Sequence, residues 1–155
     1  MSNLNDGKVE FKITRVEPTS YSLNFPDNYE YSKEKFKIRS KVTIKIDIDL
    51  ESNNLTYFLS FQLSSRRRDT GEEETDLFDI KSTTVFVIQN LSEHIKVNED
   101  KDEDDLNKDF LFKFLEIAIG HTRGMQSVIL KGTPIAKFLI SSPDMETINL
   151  KINAK

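Results

Sequence analysis

The chain has 155 residues, with 22 Lys and Arg against 26 Asp and Glu for a formal net charge of −4, and 37% of it is hydrophobic. That length suits a single domain with a sizeable core, and the apolar content excludes intrinsic disorder of the whole. The mild acidity argues against a nucleic-acid partner, and the absence of cysteine excludes disulfides and thiolate metal sites.

In chain order, the first periodic segment runs from Lys8 to Val16, where Val9, Phe11 and Ile13 alternate with polar residues as in a half-buried strand. Residues 17–35 carry Pro18, Pro26 and the Asp27-Asn28 pair, a composition that predicts a long surface connection. From Phe36 to Leu50 the alternation is clear. Ile38, Val42, Ile44, Ile46 and Ile48 point one way, while Thr43, Lys45, Asp47 and Asp49 point the other. A short Asn-containing loop follows, and Leu55, Tyr57, Leu59, Phe61 and Leu63 alternate again, so the two runs predict a hairpin. The stretch 66–74, with Arg66, Arg67 and Arg68 followed by Glu72–Glu74, reads as a polar connection, and Phe78, Ile80, Thr84, Phe86 and Ile88 make a fourth strand.

Residues 92–105 end in a self-repelling acidic run and read as a solvated loop. Asn107 or Asp105 can cap a helix continuing to about Lys131, with Gly132 as its stop. Eight of the ten residues from Phe110 to Ile119 are apolar, more than a helix needs if one side alone rests on a sheet. The surplus is explained by a second subunit, by a ligand or by intrachain packing. Gly120 and Gly124, four apart, permit close approach of another backbone on the first of these readings. The segment after Gly132 is apolar and punctuated by Pro134 and Pro143. The pattern therefore predicts an α+β domain, a four-stranded antiparallel sheet followed by a long C-terminal helix, over residues 8–148, with 1–7 and 149–155 as terminal tails.

Catalytic chemistry finds little support. His94 and His121 lie far apart, without a second ligand at helical spacing, and Glu116 and His121 are five apart, which turns them in different directions. No nucleophile elbow or phosphate loop is present, so neither enzyme activity nor a metal or cofactor is expected. The eleven Phe and four Tyr are mostly core material, and any left in a groove would suit apolar peptide. No apolar run reaches the roughly 18 residues of a membrane span, and residues 1–7 lack the features of a secretory leader. A cytoplasmic protein with no membrane insertion is the expectation.

The sequence Lys131-Gly132-Thr133-Pro134, followed by Phe138-Leu139-Ile140-Ser141-Ser142-Pro143, resembles the end of the helix and the Leu-Pro-Pro tail of the SecB family of export chaperones. The helix text from Phe110-Leu111-Phe112 is similar to the family's Leu-Phe-Pro-Tyr-Ala-Arg region, with Lys113 in place of its proline, as in a divergent member. The resemblance implies an ATP-independent holdase that binds unfolded polypeptides in apolar grooves and assembles as a homo-oligomer, dimer or tetramer. It also implies delivery to the SecA translocase ATPase or, in SecB-like proteins outside export, service to a toxin–antitoxin system. By position it places Tyr21, Phe25, Phe138, Leu139 and Ile140 in the groove. It assigns Phe110, Phe114, Ile117, Gly120, Gly124 and Val128 to the oligomer interface and Asp47 and Asp49 to an acidic partner-binding face. The competing expectation is a non-catalytic oligomeric scaffold or small-ligand-binding domain.

Overall fold

The computed structural model describes residues 9–25, 32–71, 75–95, 107–140 and 150–154. The acidic run at 99–105, Glu72–Glu74 and the Pro143 segment lie outside the described residues.

The hairpin predicted from alternation is the centre of the sheet. β2 (Phe36–Asp49) pairs with β3 (Asn54–Arg67) in unbroken antiparallel register from Phe36 opposite Arg67 to Asp49 opposite Asn54. Because successive side chains point to opposite faces, Ile44, Ile46 and Ile48 share an inner face with Leu55, Tyr57, Leu59, Phe61 and Leu63, and all eight are buried. Residues 50–53 make the turn. Asp49 Oδ1 accepts from the N–H groups of Glu51 and Ser52, and Asn53 takes the left-handed conformation at φ 57° that Asn tolerates. β4 (Thr75–Ile88) pairs antiparallel with β3, and β1 (Phe11–Leu23) pairs antiparallel with β4.

Four expectations are corrected. The sheet has five strands instead of four: Leu150–Ala154, expected as a tail, forms β5, which runs parallel to β2 along Ile44–Ile48 and gives the order β1-β4-β3-β2-β5. Five residues are too few to reveal a period, but pairing with an open strand edge stabilises them. Residues 17–23, expected in a connection, continue β1. Pro18 fits there because β1 is an edge strand, where a missing N–H costs no ladder bond. Arg66 and Arg67 end β3 instead of belonging to a loop, and one helical turn, α1 (Leu91–His94), opens the stretch expected to be irregular.

α2 (Lys108–Ile129) lies across the inner faces of β3 and β4 and reaches β1. Its start is set by Asn107, whose side chain accepts from the Phe110 N–H, and its end by Leu130 and then Gly132 at φ 79°. Phe110, Leu111, Phe114, Leu115, Ala118 and Ile119 are buried beneath it. Phe86 is the hub: the rings of Phe11, Tyr57 and Phe114 meet it edge-on at 6.0, 5.8 and 4.9 Å. Two polar contacts register the helix on the sheet. The Tyr57 hydroxyl donates to the Leu111 carbonyl at 2.6 Å, and Ser82 and Thr122 share a hydrogen bond of 2.7 Å. Burial pushes the Tyr57 phenol far above its usual range, so it stays protonated as the donor.

Candidate polypeptide-binding surface

β1 carries an apolar strip that the helix covers only in part. Pairing with β4 places Phe11 opposite Ile88, Ile13 opposite Phe86, Val16 opposite Thr84, Tyr21 opposite Ile80 and Leu23 opposite Phe78. All five partners are buried on the inner face, so these β1 side chains face the same way. Their spacing is irregular because the register shifts between Ile13 and Arg15 and again between Pro18 and Ser20. Each bulge adds one residue, and without it the next apolar side chain would swing to the outer face. The strip nonetheless stays accessible: Phe11, Ile13, Val16 and Leu23 are partly exposed, and Tyr21 retains 59% of its surface. α2 meets β1 at the Phe11–Phe114 contact, with ring centroids 5.1 Å apart.

Charge flanks this strip without covering it. On the other face of β1, Arg15 pairs with Glu17. No strand pairs with the far edge of β1 among the described residues, so its backbone donors and acceptors remain open to an extended chain.

The second apolar element is the segment after the helix, and Gln126 holds it in place. This fully buried side chain donates Nε2 to the Phe138 carbonyl and accepts at Oε1 from the Ile140 N–H, both at 2.8 Å. Arg123 Nε adds a bond of 2.7 Å to the Ile140 carbonyl. A buried amide of this kind costs stability unless it is satisfied, and here both of its ends are used. Ile140 and Ile135 are thereby buried, Phe138 is half-buried under the Lys137 ammonium, and Leu139 remains exposed. Sequence reasoning missed Gln126. The signal was a polar residue one turn after Thr122 on an otherwise apolar stripe.

The expected groove residues therefore rest on separate supports. Tyr21 belongs to the β1 strip, Phe25 packs half-buried against the core, and Phe138–Ile140 are clamped to the C-terminal half of α2. Of the expected interface residues, Phe110 and Phe114 are buried in the chain's own core and Ile117 is half-buried. Gly120, Gly124 and Val128 share the outward face; among the described residues nothing beyond the helix's own nearby backbone lies within 4 Å of a Cβ built at either glycine, and Val128 is 74% exposed. Asp47 and Asp49 lie on the outer face of the sheet. Asp47 pairs with Lys45 at 3.3 Å and accepts from Asn153, while Asp49 caps the hairpin turn. His94 stacks on Phe110.

No protein-family model matches this chain, and no curated protein matches it in sequence. Solved structures do. The Mycobacterium tuberculosis SecB-like chaperone, determined in complex with a ChAD peptide from the HigA1 antitoxin, superposes with a TM-score of 0.51 over 86% of this chain and 93% of its own, at 12% identity. The fold is SecB-like. At that identity the likeness is one of architecture, and the side chains of the β1 strip must be judged on their own chemistry. A protein of unknown function from Streptococcus agalactiae aligns over 88% of this chain and 98% of its own at 11% identity, with a TM-score of 0.27, too low to carry an argument. Among the described residues no group of three or more His, Asp or Glu could hold a metal ion, and no helix is long and apolar enough to cross a membrane.

Proposed function

We propose that this protein is a SecB-like, ATP-independent holdase that binds unfolded or extended polypeptide along β1. The observation that carries the reading is the exposed inner strip of Phe11, Ile13, Val16, Tyr21 and Leu23 beside a strand edge that no strand pairs among the described residues. An extended client gains from both. Its apolar side chains bury against the strip at roughly 25 cal/mol per Å², and its backbone pairs with the open edge. Neither term reads sequence closely, so binding is broad and shows a negative heat-capacity change. Pro18 and the two bulges interrupt the edge, which discourages continuous β-pairing and aggregation while leaving short stretches usable.

Assembly belongs to the same proposal. The outward face of α2 at Gly120, Gly124 and Val128 is where a second copy packs, since the glycines admit a close backbone and Val128 is otherwise left in water. Of the two services a SecB-like holdase performs, care of an antitoxin has the neighbour's bound peptide behind it. Delivery to SecA rests on the sequence resemblance alone.

The test is protection of a thermally unfolding client by the wild-type protein and by the Val16→Ser/Tyr21→Ser double variant. The variant stays folded and keeps the wild-type mass in light scattering, yet protects less well. If it changes the mass instead, β1 joins subunits and the client site lies elsewhere.

A further inference from the structure

The outer face of the sheet, opposite α2, has a charge pattern that neither the apolar strip nor the core explains. On β2 the outward residues Lys37, Arg39, Lys41 and Lys45 follow one another with only Thr43 between them, and the hairpin register sets Arg66 of β3 opposite Lys37. In the next rows, β4 adds Lys81, opposite Ser60, which is itself opposite Thr43. Six cations thus share one half of the face against three carboxylates in the same rows, Glu17, Asp76 and Asp79, with Lys45 also paired to Asp47, in a chain whose net charge is −4. Lys37, Arg39, Lys41, Arg66 and Lys81 are exposed. Among the described residues no carboxylate is ion-paired with Lys37, Lys41 or Lys81. At the Lys45 end of the row lies a shallow hollow of about 260 Å³, lined by Lys45, Phe58 and Lys81 with the hydroxyls of Thr43, Ser60 and Thr83. Phe58 is 37% exposed, and the Lys45 ammonium sits 5.1 Å from its ring centre.

We propose that this face docks an acidic, extended polypeptide segment of a partner protein, laid along β2 with its carboxylates over the cation row and one apolar side chain on Phe58. Same-side residues of a strand recur about every 6.7 Å, and so do those of an extended peptide. A segment with Asp or Glu at alternate positions therefore meets Lys37, Arg39 and Lys41 in step. The row spans about 27 Å, the length of roughly nine extended residues. It stops at Asp47 and Asp49, which limits the acidic stretch. The same limit disfavours nucleic acid, whose phosphates would continue over those aspartates and whose charge is repelled by the acidic chain as a whole. Lysines on an exposed sheet also prevent copies of the chain from pairing with one another, and that repulsion is what an acidic partner reverses.

This docking does not depend on the holdase reading, because it uses the opposite face of the sheet. The experiment is fluorescence polarisation with a labelled peptide about nine residues long, alternating Glu and Ser with a Leu near one end. The same peptide with Lys for Glu and a single-stranded oligonucleotide of equal length serve as controls. The Glu peptide binds, weakens with added salt, and loses roughly tenfold in affinity to Lys37→Glu/Lys41→Glu, while the Lys peptide does not bind. Lys37→Gln/Lys41→Gln, which adds no repulsion, gives a smaller loss and stands in should the reversal impair folding. Absence of binding, equal binding of the Lys peptide, insensitivity to both double variants, or tighter binding of the oligonucleotide would each overturn the proposal.

Discussion

Beneath α2 and the segment that follows it, Ile46, Tyr57 and Phe86 have no accessible surface, whereas Ile13, Val16 and Tyr21, on the same face of the same sheet, remain open to water. The two regions have similar composition and differ in cover. A helix about 10–12 Å across shields little more than two strands spaced about 4.8 Å apart, and α2 lies over β4 and β3 and reaches β1 at Phe11. On the β2 side, Ile44, Ile46 and Ile48 are buried in one cluster that also contains Leu130, Ile135 and Ile140. On β1 the cover runs out beyond Phe11, where Ile13, Val16, Tyr21 and Leu23 keep much of their surface. Alternation in a sequence therefore tells which face is apolar, and the number and position of the helices decide whether that face is core or binding surface.

The sharpest way to break this comparison is to place one charge in each region. Ile46→Asp buries a carboxylate with no partner at a fully buried position, a cost of several kcal/mol that removes most of the stability of an ordinary domain. Ile13→Asp, on the uncovered strip, costs about 1 kcal/mol. Circular-dichroism melts check both: the first variant is unfolded or close to it, and the second melts cooperatively a few degrees below wild type.

A second substitution separates assembly from folding. With nothing among the described residues beyond the helix's own nearby backbone within 4 Å of a Cβ at Gly124, the helix accommodates a side chain there, and Gly124→Leu gains up to about 0.8 kcal/mol of helix propensity. The variant therefore melts no lower as a fold. Its mass in light scattering falls if the outward face of α2 is the subunit interface, and an unchanged mass removes that interface from the account.

The smallest effect concerns the boundary between the two regions. Thr84 is fully buried opposite Val16, and its hydroxyl has no hydrogen-bond partner among the described residues. Thr84→Val keeps the shape and removes the unsatisfied group, so it raises stability by about 1 kcal/mol, seen as a slightly higher denaturant midpoint. A lower midpoint would mean that the hydroxyl is satisfied.

The covered region was legible in the sequence because its alternation is uninterrupted from Ile44 to Ile48 and from Leu55 to Leu63, and because Asn107 and Gly132 mark the helix ends. The candidate site was less so, for reasons that lie in β1. Its apolar residues fall at 11, 13, 16, 21 and 23, and a strict period of two loses them after Ile13, since two bulges are needed to keep them on one face. Pro18 then reads as a break, although an edge strand accepts it. Tyr21 was singled out, whereas the strip around it was not, because burial by a distant helix has no local signature. Phe110 and Phe114 illustrate the converse: an apolar surplus on a helix does not reveal whether the chain's own Phe86 and Phe11 already occupy it. The fifth strand was hidden by its length, and Gln126 by looking like a surface residue in a helix.

The central claim is that the β1 strip binds extended polypeptide, and titration calorimetry of the protein against a permanently unfolded, uncharged client tests it most directly. Binding with a negative heat-capacity change that Val16→Ser/Tyr21→Ser weakens at least several-fold, with fold and mass retained, is the result this account predicts. No heat of binding to the wild-type protein at any temperature, or identical affinity for the double variant, would contradict it.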